Sequence, residues 1–283
     1  MLTRFAPAPT GWLHLGHVAN ADLLWQLAGE RNGRVLLRIE DHDRTRCRPE
    51  YEAGILDDLD WLGFSPDIFP TNAFRAGRCD GRQSDRDARY RAAVEILRLQ
   101  GLVYGCDCSR RQIADTRGKN GEERTAKREE REAELRYSGR CRDRGIALKD
   151  GVGWRVRMDP GVERFVDERL GPQTQDPSEQ CGDVLIRDRR GNWTYQLCVT
   201  IDDWEQGIDC VIRGEDLLAS TGRQIRLARL LGRDRPPAFR HHPLIMKSAS
   251  QKLSKADGDS GIRELRRRGW TPEQVRTAAR RAV

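Results

Sequence analysis

Ala8-Pro9-Thr10-Gly11-Trp12-Leu13-His14-Leu15-Gly16-His17 is the stretch from which the fold can be read. It follows a short apolar run, Leu2 to Ala6, that Pro7 and Pro9 stop. It precedes a segment in which Val18, Ala21, Leu23, Leu24 and Leu27 recur at helical spacing. Val35-Leu36-Leu37-Arg38-Ile39 then reads as a buried strand ending at Glu40-Asp41. Strand, glycine-bearing turn, helix and strand, in that order, open a parallel nucleotide-binding sheet, so the fold class expected is α/β. In such a sheet ligands bind outside the carboxyl ends of the strands, where a helix start offers backbone N–H groups and a positive dipole end to phosphate. Gly16 lets a flat base come close to the backbone. His14 and His17 project to one side of the helix start, where imidazole N–H groups can reach phosphate oxygens. Two ordinary surface histidines, or a zinc site, are the other uses of a His-x-x-His pair; the third ligand that zinc needs is missing nearby.

Further along, helical patterns run from Tyr51 to Leu62 and from Asp85 to Gln100. Thr116 to Arg136 holds almost no large apolar residue and reads as a solvated helix or flexible insertion. Sheet-like signals return at Gly153-Trp154-Arg155-Val156-Arg157 and Asp183-Val184-Leu185-Ile186. Tyr195 to Asp203 reads as helix, Cys210 to Arg213 as a central strand, and Thr221 to Leu231 as helix. The organisation expected is a first half of the α/β domain over 1–100, an inserted subdomain over 101–182, a second half over 183–245, and a loop with a helical tail over 246–283.

The second informative run is Lys252-Leu253-Ser254-Lys255, with Gly258 and Gly261 after it and Pro243-Leu244-Ile245-Met246, a strand-like apolar patch, before it. Two lysines in a small-residue loop can swing over a triphosphate; standing alone, the run would be a solvated basic loop. Bulk composition fits without deciding. The chain has 283 residues, 37% hydrophobic and 34% charged, and 51 basic against 44 acidic residues give +7. That permits a phosphate-rich partner without demanding one. No stretch is long and apolar enough to span a bilayer, and Met1-Leu2-Thr3-Arg4-Phe5 lacks the layout of a secretion signal. A cytoplasmic protein is expected, with its eight cysteines as reduced thiols or metal ligands.

Together, in this order, the two runs resemble the "HIGH" and "KMSKS" signatures of class I aminoacyl-tRNA synthetases. Arg4-Phe5-Ala6-Pro7-Ala8-Pro9-Thr10-Gly11, Arg38-Ile39-Glu40-Asp41 and Val211-Ile212-Arg213-Gly214-Glu215-Asp216-Leu217 are similar to the glutamyl members. The resemblance runs from Arg4 to about Lys255 and implies a Rossmann-like catalytic domain with an inserted zinc-binding, acceptor-type subdomain and a short C-terminal helical tail. Only Ala256 to Val283 follows the second signature. A stand-alone catalytic half of this kind resembles the glutamyl-queuosine tRNA(Asp) synthetases. The resemblance implies activation of L-glutamate with ATP and Mg2+, then transfer of glutamate to queuosine in the anticodon of tRNA(Asp); a monomer with no membrane partner is expected.

Arginine forks suit the two carboxylates of glutamate, and an acid suits its ammonium group. Arg4, Glu40 and Arg213 stand at strand ends, and Tyr195 can hydrogen-bond at the rim. By resemblance these four match glutamate-contacting positions, within a segment that includes Phe5, Ala6, Pro7 and Ala8; Arg38 reads as structural. Glutamyl members usually carry Ser where this chain has Ala8. His14, His17 and Lys255 are the expected catalytic groups, and Gly16 and Lys252 complete the expected ATP site.

Cys106-Asp107-Cys108 and Cys141 form a second constellation. Cysteine thiolates bind zinc, but a closed structural site needs four ligands and no histidine lies nearby. The glutamyl-queuosine enzymes share Cys-x-Cys followed by Tyr-x-x-x-Cys, which implies Tyr137 as an oxygen ligand and one structural Zn2+ per chain. The plain alternative is three metal-free thiols. Other functions left open are a truncated glutamyl synthetase charging a tRNA 3′ end, a small-molecule ATP-dependent ligase without RNA, and a non-catalytic RNA-binding module.

Overall fold

The computed structural model describes residues 1–115, 135–243, 246–248, 251–252 and 261–281. Strands β1 (Leu2–Phe5) and β2 (Arg34–Leu37) are parallel, in register from Leu2↔Arg34 to Phe5↔Leu37, and helix α1 (Leu15–Glu30) crosses between them. Helix α2 (Pro49–Leu62) begins with Pro at its first position and Glu50 and Glu52 in its first turn, both suited to a helix N-terminus. It buries Ile55, Leu56, Leu59 and Leu62 against α1 and the first sheet, and Gly63, at φ 77°, stops it. After α3 (Thr71–Arg75) and a 3₁₀ turn at Gln83–Arg86 comes α4 (Asp87–Leu99).

Next in the chain are β3 (Val103–Cys106), α5 (Arg110–Asp115), β4 (Gly153–Val156), β5 (Glu163–Asp167) and β6 (Gly171–Gln175). They are followed by α6 (Pro177–Gln180), β7 (Val184–Arg187), α7 (Tyr195–Glu205), β8 (Cys210–Gly214) and, after a 3₁₀ turn at Glu215–Ser220, α8 (Thr221–Leu230). The last elements are β9 (Ala238–His242), the two short strands β10 (Met246–Ser248) and β11 (Gln251–Lys252), and helices α9 (Ile262–Arg267) and α10 (Pro272–Arg281).

Strand β9 runs parallel to β8, and β1 is tied to the N-terminal end of β8 by Asp209 N donating to Leu2 O at 3.1 Å. The strands β2, β1, β8 and β9 therefore lie side by side, and the ends of β1, β2 and β8 bring Arg4, Glu40 and Arg213 to one edge. One apolar core packs α1 and α2 on this layer and includes Ile262, Leu265, Val275 and Ala279 from α9 and α10. Asp22 of α1 accepts from Arg276 at 2.8 Å and from Arg280 at 3.1 Å, so the tail is also ionically fastened to α1. Among the described residues, no helix is long and apolar enough to cross a membrane.

Sheet membership departs from the boundaries drawn on the sequence. Strand β7, assigned to 183–245, pairs with β4 in the antiparallel sheet β3-β4-β7. Strands β5 and β6, assigned to 101–182, join β9 instead, through Asp167↔Phe239. The sequence carries little sign of them, because Glu-Arg-Phe-Val-Asp and Gly-Pro-Gln-Thr-Gln lack the apolar run of a buried strand. Before the second signature lie β9, Ala238–His242, and β10, which begins at Met246 of the expected run; Leu244 and Ile245 of that run lie outside the described residues. The charged tract also lies outside them, over 116–134, as do Leu253, Ser254, Lys255 and Gly258.

Candidate functional site

His14 caps α1. Its Nδ1 accepts from Gly16 N at 3.1 Å, and its own backbone N–H donates to His17 Nδ1 at 3.1 Å. A ring nitrogen that accepts from a backbone N–H carries no proton, so both neutral imidazoles hold their hydrogen on Nε2. The two rings lie 3.9 Å apart between centroids. The chain leaves β9 with His242 Nε2 3.0 Å from Asn20 Oδ1 of α1, and re-enters with Ile262 N donating to Leu13 O at 2.9 Å. Gly261 forms a bridge with His14. His242 and Gly261, which flank the run holding Lys252 and Lys255, thus both lie against α1 or the turn before it; Lys255 is outside the described residues.

A buried set of charges lies at the strand ends. Asp203 of α7 accepts from Arg4 Nε at 3.1 Å and from Arg38 at 2.7 Å. Arg4 also donates to Ile212 O, across the junction of β1 and β8, at 3.3 Å. Arg38 is fully buried and lies 3.7 Å from Glu40. Burial pushes the Glu40 carboxyl up to about 7, against the pull of Arg38 and Arg4. Next to Asp203, Asp202 accepts from Arg86 at 2.7 Å, Gln83 at 2.8 Å and Tyr90 at 3.0 Å, which ties α4 to α7.

Arg213 is held differently. Its Nε donates to His241 Nε2 at 3.0 Å, and its terminal nitrogens donate to Gln224 Oε1 at 2.8 Å and Thr221 Oγ1 at 2.9 Å. Burial lowers its pKa, while Tyr195 and Asp203 act to raise it. Burial raises the pKa of Tyr195, which feels Arg213, Glu40 and Arg4 together. Arg4, Glu40, Tyr195 and Arg213 therefore share one electrostatic environment. Phe5 is a buried core residue and Ala8 a half-buried part of the turn; Ala6 and Pro7 fill the link between β1 and that turn, where Pro7 O accepts from Glu40 N at 3.1 Å. Sequence reasoning missed Asp203, His241, Thr221 and Gln224. The only signal was a polar run, His241-His242, at the end of a strand that is otherwise hard to recognise.

Cys106, Cys108 and Cys141 bring their sulfurs within 4.8 Å of one another. The Tyr137 hydroxyl lies 3.4 Å from Cys106 Sγ and 3.9 Å from Cys108 Sγ, and Arg155 stacks on its ring at 3.8 Å. Cys108 and Cys141 are separated by 3.5 Å. Three sulfurs this close together could hold a metal ion. None of the eight cysteines is in a disulfide. Burial raises the thiols of Cys79, Cys198 and Cys210 above their ordinary value.

Comparison with known proteins agrees with this arrangement. Residues 1–282 match the family model of tRNA synthetases class I (E and Q), catalytic domain. A glutamyl-Q tRNA(Asp) synthetase of Rhodobacter capsulatus is 39% identical over 98% of this chain and 98% of its own. One from Bordetella bronchiseptica is 42% identical over 90% of this chain and 75% of its own. A glutamate tRNA ligase from Elizabethkingia meningosepticum, solved in complex with its amino acid, superposes with a TM-score of 0.73 at 29% identity. That match covers 92% of this chain and 52% of the ligase, so the chain spans about half the length of that structure. The paired histidines capping α1, the charged strand ends and a family match over residues 1–282 lead to one conclusion: the chain belongs to the class I tRNA synthetases of the E and Q type, through their catalytic domain.

Proposed function

We propose that this chain activates L-glutamate with ATP and transfers it to queuosine in the anticodon of tRNA(Asp). The observation that carries the reading is the set of buried groups of opposite charge, Arg4, Glu40 and Arg213, gathered around Tyr195 at the strand ends of the sheet on which α1 packs. The names of the two glutamyl-Q relatives support the choice of acceptor. Arg4 and Arg213 take the carboxylates of glutamate, ionised Glu40 takes the ammonium, and Tyr195 closes the rim. The glutamate α-carboxylate attacks the α-phosphorus of ATP, the bond to the bridging oxygen breaks, and pyrophosphate leaves. His14 and His17 donate from Nε2 to phosphate oxygens, where negative charge builds, and Lys252 and Lys255 add positive charge from the loop. Gly16 leaves room for the base, and Mg2+ accompanies the ATP. A hydroxyl of the queuosine ring then attacks the adenylate carbonyl and AMP leaves.

Cys106, Cys108, Tyr137 and Cys141 would hold one Zn2+, which would cross-link the start of the inserted subdomain, residues 101–182, and supply stability rather than chemistry. The enzyme works in the cytoplasm, where ATP and tRNA meet.

The test is transfer of labelled glutamate to tRNA(Asp) with and without queuosine, and with and without the 3′-terminal adenosine. Transfer that depends on queuosine and ignores the adenosine is expected. Transfer that needs the adenosine and ignores queuosine would instead make the chain a conventional glutamyl synthetase.

A further inference from the structure

We propose that Asp167 and His241 are positioning residues that orient Arg213 for the substrate carboxylate without forming an ion pair with it. The inference rests on the glutamate reading above and goes beyond it. The Asp167 carboxylate lies at the end of β5. One oxygen accepts the backbone N–H groups of Arg169 and Leu170 at 3.0 and 2.9 Å. The other accepts the His241 backbone N–H at 3.0 Å and lies 2.6 Å from His241 Nδ1. A carboxylate beside Nδ1 holds the proton there, so Nε2 presents a lone pair. Arg213 Nε–H points at that lone pair at 3.0 Å. Strand pairing sets this alignment, because Arg213 of β8 is in register with His241 of β9, and β9 meets β5 at Asp167↔Phe239.

The contrast with the neighbouring arginines gives the arrangement its meaning. Arg4 and Arg38 both touch Asp203, so much of their charge is balanced inside the protein. Arg213 is equally buried, yet its hydrogen-bond partners His241, Gln224 and Thr221 are all neutral; among the described residues it makes no ion pair. Had Asp167 bonded Arg213 directly, it would compete with a substrate carboxylate for the same fork. Placing a neutral imidazole between them keeps the direction of the hydrogen bond and holds the carboxylate one ring away. Burial and Arg213 keep that imidazole neutral, pushing its pKa down to about 4. The guanidinium plane is fixed on three nitrogens before substrate arrives, so little orientational freedom remains to be lost on binding.

The test compares variants in glutamate-dependent ATP–pyrophosphate exchange. In His241→Asn the amide can still meet Asp167, but no atom remains at the Nε2 position. Its KM for glutamate should rise on the order of 10-fold, the scale of one hydrogen bond to a charged group, with KM for ATP nearly unchanged. His241→Gln, whose longer amide reaches the Nε2 position, should recover part of the loss. In an Arg213→Lys background, which lacks Nε–H, His241→Asn should add little. Equal effects on both substrates, no effect, or full additivity with Arg213→Lys would overturn the proposal. Nitrogen NMR of the full-length protein labelled at histidine gives a readout independent of activity and of variant folding. A proton on Nδ1 and none on Nε2 of His241 is expected; the opposite tautomer or an imidazolium at neutral pH would overturn the relay. A wild-type enzyme with no glutamate-dependent exchange but with the expected tautomer would count against the substrate reading alone.

Discussion

At Glu40, burial and two arginines act in opposite directions, and burial prevails, bringing the carboxyl to about 7. Below that pH the group is protonated and cannot balance an ammonium; above it the charge is present. The kcat/KM for glutamate should therefore rise as pH is raised through about 7 and then level off. Glu40→Gln should lower the plateau and flatten the rise, and a flat wild-type profile would remove Glu40 from ammonium binding. Arg213 gives a second test at this scale. Arg213→Ala leaves a substrate carboxylate without its fork, a loss of a few kcal/mol. Glutamate KM should rise steeply with ATP KM little changed; a parallel rise in both would mean that Arg213 only supports the fold.

Between elements, the buried ion network joins parts of the chain that are distant in sequence. Asp202 on α7 is completely buried and answers Arg86, Gln83 and Tyr90. Asp202→Ala leaves buried cations without their partner, so unfolding in urea should show a loss of about 3–5 kcal/mol; a change below about 1 kcal/mol would show that water or Glu205 replaces it. The cysteine cluster depends on a similar junction. Tyr137 N donates to Cys181 O at 2.9 Å, and Gly182 sits against the Tyr137 backbone with φ 65°. A Cβ at Gly182 would collide with the Tyr137 carbonyl oxygen. Gly182→Ala should therefore shift Tyr137 off the sulfurs and lower the zinc content of protein purified without added metal from about one per chain. Wild-type protein with no metal and full stability would leave the three cysteines as plain thiols.

Across the molecule, the net charge of +7 bears on the partner rather than on the first chemical step. Contacts to RNA phosphates weaken as salt rises, whereas a buried amino-acid site is screened far less. KM for tRNA in transfer should climb with salt between about 50 and 200 mM, while glutamate-dependent exchange changes little. Equal salt sensitivity in both assays would mean that the salt acts on the fold or on ATP. The tail belongs to this scale too, since Asp22 and the apolar residues of α10 make it part of the first core.

The sequence by itself determined the local chemistry: a turn carrying His14 and His17, strand ends carrying Arg4, Glu40 and Arg213, and a Cys-x-Cys pair with Tyr137 and Cys141. The turn and the strand ends were legible because apolar runs, proline stops and glycine turns act within a few residues of each other, whereas Tyr137 was implied only by the family resemblance. Only the tertiary structure decided which charge balances which. Asp203 is separated from Arg4 by 199 positions, and Asp167 from His241 by 74. No local pattern encodes such pairs, because a buried carboxylate takes its partner from whatever strand end the packing brings within hydrogen-bond reach. The polar strands β5 and β9 were obscure for the same reason. Phe165 and Phe239 each put one aromatic ring into the core, while Glu163, Asp167 and His241 are buried because they meet charged or hydrogen-bonding partners: Arg226 and Arg229, the backbone of Arg169 and Leu170, and Arg213.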